Sequence, residues 1–222
     1  MPGGLMAESK LQFDRSAVPQ ETGYWCAPAS IQSALRARGI RVEERAIARQ
    51  TEELEGNVGW DDQDGTDNIR QGATVLNRYL PEAQYTVVEW RGSPSKAARE
   101  EFWERVRSAV DAGYGVLVNI VAPVPNYPRG TRGSRSPAYG GGTVFHYILI
   151  AGYYEGPDGR HYWVDDSGFN PFGYWCSHEQ MCTLIPPKGY AYPAGATEFL
   201  SALTETEQRT VWSGFAQLVG PS

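Results

Sequence analysis

The sequence is poor in histidine and cysteine and has no excess of positive charge. Its 222 residues include three His and three Cys, and 20 Lys and Arg stand against 26 Asp and Glu, a formal net charge of −6. An odd number of cysteines does not indicate a disulfide scaffold. The net negative charge argues against nucleic acid as the main partner. The length fits one substantial domain with a short appendage.

Long apolar runs are absent as well. No stretch is long and apolar enough to span a membrane, so we expect no membrane insertion. The first ten residues, from Met1 to Lys10, are small and polar and contain no apolar core of a secretory signal. We therefore expect a chain that is made in a cytoplasm without a signal peptide. If it works outside a cytoplasm, another component must carry or release it.

One of the three cysteines stands where a helix is predicted to begin. In residues 20–30, Pro28 suits the first turn of a helix, and Gly39 can end that helix in a left-handed conformation. The thiol of Cys26 then faces unpaired backbone N–H groups and the positive end of the helix dipole. Both favour the thiolate, which is the nucleophilic form. The alternative for Cys26 is a small buried residue that only packs.

The rest of the chain offers partners for a thiolate. Gln20, six residues before Cys26, can donate an amide hydrogen bond to an oxyanion, and a His and an Asp follow far downstream. The order Gln20, Cys26, His146, Asp166 supplies an oxyanion donor, a nucleophile, a base and a group that orients the base. This combination predicts nucleophilic catalysis by cysteine.

The choice of His146 as the base follows from a predicted hairpin. If its strands pair symmetrically about the turn, Tyr154 faces His161 and Leu149 faces Asp166. His146 and Asp166 then share the open end with an offset of three residues, or roughly 10 Å. A bulge or an asymmetric turn must close that gap. His161 lies at the opposite end and is predicted to be a surface residue.

Two further choices concern the acids and the remaining thiols. Asp165 and Asp166 point to opposite faces of a strand, and Asp166 is preferred because it precedes a Ser-Gly turn.

His178 lies between Cys176 and Cys182, which suggests a metal, but no second pair of Cys or His completes a tetrahedral set. We therefore predict no metal site and no cofactor, with both cysteines in the core or partly exposed.

Periodicity gives a coarse order of elements. Apolar residues at helical spacing predict helices over 28–39, 42–50, 66–80, 93–113 and 177–184. Runs of β-branched and aromatic residues predict strands over 85–91, 114–121, 143–153 and 161–166. Residues 1–19 are predicted to form an arm, residues 169–175 an aromatic loop, and residues 204–219 a separate helix.

The candidate site residues resemble those of papain-like cysteine peptidases, in particular the branch related to bacteriocin leader-processing peptidases. The matching features are the spacing from Gln20 to Cys26, the Cys-Ala-Pro-Ala helix start, and the strands of His146 and Asp166. A more specific resemblance is to the N-terminal peptidase domain of mycobacteriophage-type lysin A endolysins. It rests on residues 18–30, 112–115, 126–130, 139–143, 166–169 and 185–190. The family role belongs to the Asp of Asp-Ser-Gly, and Asp165 beside it leaves that assignment open.

The resemblance implies an α+β papain-like fold, with N-terminal helices packed on a central antiparallel β-sheet. It implies a peptidase domain over 1–195 and, over 196–222, a helix or connector that leads to a further module. The implied function is hydrolysis of mycobacterial-type peptidoglycan peptides by a phage enzyme, made in the host cytoplasm and released by a holin. We expect a monomer. The same site in an amidase, an acyltransferase or a protein-processing peptidase is the alternative, and an inactive binding domain is disfavoured.

A long loop before the His146 strand is expected to border the substrate. It is rich in Pro and Gly and carries Arg129, Arg132 and Arg135. Wall peptides carry carboxylates, so we expect at least one of these cations to pair with substrate. Tyr127 and Tyr139 would shape the groove. The alternative is a mobile basic loop in solvent. Trp25, beside the thiol, is also assigned to substrate binding.

Overall fold

An antiparallel β-sheet organises the molecule. The structure is a computed structural model that describes residues 6–15, 18–56 and 65–196. Within these residues the strands are β1 (Ala7–Lys10), β2 (Tyr85–Glu89), β3 (Val116–Ala122), β4 (Val144–Gly156), β5 (Gly159–Asp165), β6 (Gly173–Ser177) and β7 (Gly189–Pro193). The strand order is β2-β7-β3-β4-β5-β6, and β1 also pairs with β4. Every pairing is antiparallel.

Helices cover both faces of this sheet. They are α1 (Cys26–Ala37), α2 (Glu44–Glu55), α3 (Ile69–Tyr79), α4 (Lys96–Asp111) and α5 (His178–Leu184), with short 3-10 turns at Pro81–Ala83 and Val124–Asn126. No helix among the described residues is long and apolar enough to cross a bilayer. The N-terminal helices α1 to α3 pack on one face and α4 and α5 on the other, which confirms the predicted fold class.

The two faces follow from alternation along the central strands. On β3 and β4, Leu117 and Leu149 pack with the α1 residue Ile31. The intervening Val118 and Ile148 pack in the cluster that holds α4 and α5. Because successive strand side chains point to opposite faces, an apolar strand serves both layers at once. The prediction that β3 is central, drawn from its unbroken apolar run, is confirmed.

The β4–β5 hairpin contains the bulge that the sequence required. Tyr154 pairs with His161 as predicted, but Leu149 pairs with Asp165 and not with Asp166. The register shifts between Ile150 and Gly152, so one residue of β4 is left over. This shift reduces the offset between His146 and Asp166 from three residues to two.

Several predicted elements differ from the structure. The predicted N-terminal arm contains β1, the predicted aromatic loop contains β6, and β7 was not predicted. Asn68, and not Thr66, caps α3, with its side chain accepting from the Arg70 N–H at 3.0 Å. The predicted helix over 204–219, and with it the connector over 196–222 after its first residue, lies outside the described residues.

Candidate active site

Cys26 is the first residue of α1. The helix is buried almost throughout from Ala27 to Leu35, so packing fixes its direction against the sheet. Trp25 is the N-cap and makes no side-chain capping bond. The thiol, which is half-buried, therefore stands beside backbone N–H groups at the start of a rigid helix and lines a cleft. This position suits a thiolate.

His146 reaches the same cleft from the start of β4. Its Nε2 lies 2.9 Å from Oδ1 of Asp166, and the two side chains are 4% and 0% exposed. This contact leaves Nδ1 for the thiol of Cys26. Burial alone would lower the pKa of His146, but the Asp166 carboxylate and the hydrogen bond to Cys26 outweigh it and raise the pKa to about 10. The imidazole is thus held in its protonated form beside the thiol.

A shell of donors fixes the Asp166 carboxylate. The Tyr139 hydroxyl donates to Oδ2 at 2.9 Å and the Tyr174 hydroxyl lies at 3.4 Å, while the N–H groups of Gly168 and Phe169 donate to Oδ1 at 3.0 and 3.2 Å. Burial raises the pKa of the Tyr139 phenol well above its usual value, so it stays a donor. Tyr139 was predicted to bind substrate, but it is buried behind the acid and orients it.

Asp165 serves a different contact on the other side of β5. Its Oδ1 lies 2.7 Å from an Nη2 of Arg15, and its side chain is 2% exposed. Burial raises the pKa of this carboxyl, while Arg15 and a hydrogen bond from Ser33 oppose the shift. Asp165 therefore ties the N-terminal segment to α1 and the sheet. The structure brings Asp166, and not Asp165, to His146.

Gln20 lines the cleft beside the turn that follows Asp166. Its backbone N–H donates to the Ser167 carbonyl at 3.0 Å, and the Ser167 hydroxyl donates to Oε1 at 2.9 Å. Its Nε2 donates one hydrogen to the Thr22 carbonyl at 2.7 Å, which leaves the second for a substrate oxygen. A Cβ on Gly168 would lie 2.7 Å from Cε1 of His146, so a glycine here permits the close approach of the Gln20 and His146 segments.

The cleft has a volume of about 670 Å³. Besides Gln20, Cys26 and His146, several residues line it that the sequence had not indicated. Asn119 breaks the apolar run of β3, and this polar interruption was the signal that could have found it. Phe145 is 65% exposed beside His146, and an exposed Phe next to a candidate base is a second such signal. Lys188 also lines the cleft, from the segment before β7.

The residues predicted to bind substrate lie elsewhere. Trp25 is 5% exposed and does not line the cleft, and neither does Tyr127, whose hydroxyl donates to the Gly142 carbonyl at 2.6 Å. The backbone N–H of Arg129 donates to Oε1 of Gln180 at 2.9 Å, outside the cleft. The structure thus places none of the three in the cleft: Trp25 is buried at the start of α1, and the loop of Tyr127 and Arg129 folds back on α5.

The basic loop does not border the cleft. Arg132 pairs with Glu8 at 3.0 Å and lies over the ring of Tyr154, 3.1 Å from its centre. It is thus held at the far end of the β4–β5 hairpin. Arg135 is exposed and does not line the cleft either. The expectation of an arginine-lined groove from this loop was wrong, since the loop's contacts are with β1, β6 and α5.

The other histidines have structural partners. His161 is only 6% exposed, so its prediction as a surface residue was wrong, and its Nδ1 lies 2.9 Å from the Thr131 hydroxyl. The Tyr162 hydroxyl lies 2.6 Å from Nδ1 of His178. Burial raises the pKa of Cys176 to about 12 and that of Cys182 to about 11. Within the described residues no group of three His, Cys, Asp or Glu is placed to hold a metal ion.

Comparison with known proteins places this geometry in context. Residues 12–178 match the Peptidase_C39 like family. No curated protein matches the chain. Among solved structures, a clostridial cysteine protease after propeptide cleavage is similar over 84% of this chain, with a TM-score of 0.42 and 15% identity. The chain spans 54% of that protein's length.

Proposed function

The chain belongs to the Peptidase_C39 like family of papain-like cysteine peptidases, and we propose that it is a phage endolysin that hydrolyses peptide bonds of bacterial peptidoglycan. The observation that carries this proposal is the line from Asp166 through His146 to Cys26 in an open cleft that Gln20 also lines. A thiolate, a proton donor and an oxyanion donor are thereby available to one bound carbonyl.

The first half of the reaction forms an acyl-enzyme. The Cys26 thiolate attacks the scissile carbonyl carbon, and a C–S bond forms as the carbonyl oxygen becomes an oxyanion. The second N–H of the Gln20 amide and the backbone N–H of Cys26 stabilise that oxyanion. When it collapses, the C–N bond breaks, and the His146 imidazolium gives its proton to the leaving amine.

The second half releases the acid. Neutral His146 takes a proton from water, whose oxygen attacks the thioester carbonyl, and the same two donors stabilise the new oxyanion. The C–S bond then breaks, and the sulfur leaves as thiolate beside the imidazolium. Asp166 keeps the imidazole ring oriented through both halves because four hydrogen bonds hold its own carboxylate.

Support for a cell-wall substrate comes from where the lysin-like stretches lie. Residues 18–30, 166–169 and 185–190 each contribute side chains or backbone to the cleft. Residues 139–143 contain the tyrosine whose hydroxyl donates to Asp166. Four of the six stretches that resemble lysin A endolysins therefore lie around the reacting groups, and residues 112–115 and 126–130 lie outside the cleft. An enzyme of this kind would act on the wall after release from the host cytoplasm.

Purified mycobacterial-type cell walls provide the test. The wild-type protein should release soluble peptide fragments, and mass spectrometry should show cleavage within the stem or cross-bridge peptides. Cys26→Ala should release none, while Cys182→Ala, which alters a buried thiol outside the cleft, should retain activity. A chelator should not affect the rate, since thiolate chemistry needs no metal.

Other fragments would point to other reactions. Whole stem peptides freed from the glycan would indicate an amidase and contradict the proposed bond. Intact walls, together with Cys26-dependent cleavage of a protein substrate, would contradict the wall substrate altogether.

A further inference from the structure

A smaller groove continues from the catalytic cleft. It has a volume of about 220 Å³ and shares Asp67, Asn119 and Lys188 with the cleft. Its remaining walls include Glu89 and Arg91. A substrate whose scissile bond lies at the thiol can therefore extend a side chain into this groove. The groove is lined by charged groups of both signs.

Backbone contacts place the chain segments that carry Lys188 and Arg91 side by side. The Trp90 N–H donates to the Lys188 carbonyl at 2.8 Å, and Arg91 follows in the chain. Gly189 pairs with Glu89 across β2 and β7. A Cβ on Gly189 would lie 2.3 Å from the carbonyl oxygen of the residue before Glu89, so only glycine permits this approach. The sheet thus fixes where Lys188 and Arg91 emerge.

The charges in the groove are only partly neutralised. Arg70 pairs with Glu89 at 2.9 Å. Neither Lys188 nor Arg91 forms an ion pair within residues 6–15, 18–56 and 65–196. Asp67 likewise forms none there, although it lines the same groove as Lys188. A ligand group between Lys188 and Asp67 can therefore meet a cation and a carboxylate at the same time.

Asn119 connects the groove with the reaction centre. It lies on β3 opposite Tyr147, the residue after His146, and is 4% exposed. Its carboxamide can both donate and accept at the junction of the cleft and the groove. A buried amide at this point can hold the backbone of a peptide whose side chain enters the groove. The groove therefore belongs to a position next to the scissile bond.

We propose that this groove binds a substrate side chain that ends in both a carboxylate and an ammonium group. Lys188 and Arg91 bind the carboxylate, and Asp67 binds the ammonium. The inference rests on the proposed function and specifies its substrate: a stem peptide that contains a diamino dicarboxylic acid next to the cleaved bond. A lysine in the same position carries the ammonium group alone and leaves both cations without a partner.

Binding to the inactive Cys26→Ala protein tests the groove without reference to hydrolysis. Two synthetic stem peptides should be titrated by calorimetry, identical except that one contains diaminopimelic acid where the other contains lysine. We expect the diaminopimelic acid peptide to bind about tenfold more tightly, because only it satisfies the two cations. Adding Lys188→Met to Cys26→Ala should reduce that ratio to near one.

Control variants distinguish binding in the groove from a general effect of the protein's charge on affinity. Arg135→Gln removes an exposed cation outside the cleft and should leave the affinity ratio unchanged. Asp67→Asn should weaken both peptides, since both carry the ammonium group. Equal affinity of the two peptides for Cys26→Ala would contradict the proposed role of the groove. An equal loss of affinity for both peptides when Lys188→Met is added would contradict it as well.

Hydrolysis by the wild-type protein is a separate measurement. In one outcome, wild type cuts neither peptide while Cys26→Ala still binds the diaminopimelic acid peptide more tightly and loses this preference when Lys188→Met is added. That result would contradict the proposed reaction and support the proposed role of the groove. If both peptides are cut equally and bind equally, the proposed recognition by the groove is contradicted and the proposed peptidase activity is supported.

Discussion

At the residue scale, the site is a line of buried hydrogen bonds that runs from two tyrosine hydroxyls through Asp166 and His146 to a half-buried thiol. The members come from different elements of the fold, and Cys26 is the one that lies on a helix. A fixed negative charge next to an imidazole has a measurable effect, because it sets the pH range in which the imidazole can give up a proton.

Cys26 should differ from the other thiols in reactivity. Iodoacetamide should alkylate Cys26 first, because burial raises the pKa of Cys176 to about 12 and that of Cys182 to about 11, so both remain thiols at neutral pH. Peptide mapping after short exposure checks this order. The denatured protein, in which all three should react alike, is the control. Equal labelling of the three in the folded protein would contradict a catalytic role for Cys26.

The pH dependence of hydrolysis should identify the orienting acid. The Asp166 charge contributes to raising the pKa of His146 to about 10, so activity should fall at high pH as the imidazolium is lost near that value. Asp166→Asn removes the charge and lowers this pKa, so the alkaline limb of kcat/KM should move to lower pH. Turnover should also drop by about 10²–10⁴.

Asp165→Asn is the matched control for that shift. Asp165 contacts Arg15 and not His146, so its replacement should leave the alkaline limb in place even where it lowers stability. A shift of the limb in Asp165→Asn, with none in Asp166→Asn, would reverse the assignment of the two acids.

At the element scale, helix α2 supports the loop that carries Gln20. The Glu21 N–H donates to Oε1 of Glu44 at 3.1 Å, and Glu44 is the first residue of α2. The other oxygen of this carboxylate is buried and has no hydrogen-bond partner. Burying an ionised carboxylate with one oxygen unpaired costs free energy of folding. Burial accordingly raises the pKa of Glu44 from 4.5 to about 7.

Neutralising Glu44 should therefore stabilise the fold at high pH. Because the folded pKa is above the unfolded one, the folded state holds more protons between pH 4.5 and 7, and stability falls as the pH rises through that range. Glu44→Gln keeps an oxygen for the Glu21 N–H without the charge. It should raise the free energy of unfolding by about 1–3 kcal/mol at pH 8 and have little effect below pH 4.5.

Denaturant unfolding at several pH values measures this difference. Glu43→Gln, the exposed neighbour, should show no such pH dependence. A stability gain for Glu44→Gln that is the same at pH 4 and pH 8 would contradict the titration of Glu44.

Most of the helices and the central strands could be predicted from the sequence. Helices with a clear apolar stripe and strands with unbroken β-branched runs, such as β3 and β4, were predicted because their pattern is local. The strands β1, β6 and β7 were missed because they are short or rich in glycine and aromatic residues, and they are strands only through their neighbours. Asn68 was missed as a cap because Thr66 offers an equally good side chain nearby.

The candidate site could be predicted in part for the same reason. Cys26, His146 and Asp166 are close to recognisable helix and strand ends, so their positions follow from local structure. The folding of the loop that contains Arg129 depends on contacts with Gln180 and Trp175, which are remote in sequence. Composition alone suggested substrate contacts for that loop, while the tertiary contacts put it elsewhere.

At the scale of the whole molecule, one N-terminal segment links the layers. Strand β1 pairs with residues 152–155 of β4, where the β3 pairing has ended. Lys10 lies over Trp163, 3.6 Å from the ring centre, and Arg15 pairs with the buried Asp165. The family match begins at residue 12, so β1 precedes the matched region. This strand completes the sheet without touching the cleft.

Removal of residues 1–10 should lower stability more than catalysis. It leaves one edge of β4 unpaired, and such an edge also promotes association between chains. We expect the free energy of unfolding to fall by about 1–3 kcal/mol, with a lower Tm, while kcat of the folded fraction stays close to that of the full chain. Lys10→Met, which removes the cation–π contacts with Trp163 and Trp175, should have a smaller effect.

Thermal unfolding and active-site titration together check this expectation. An unchanged Tm would mean that β1 contributes no net stability. A large loss of kcat at full folding would mean that the segment acts on the site itself.

The contact between His146 and Asp166 fixes the number of residues between His146 and the bulge at Ala151. A strand alternates its faces at every residue, so one inserted residue here would turn the imidazole to the opposite side of the sheet, and two would carry it about 7 Å along the strand. Length variation in this part of the chain is therefore incompatible with the Asp166 contact. The turn between Gly156 and Gly159 has no such constraint, and natural insertions in proteins with this hairpin should be found there.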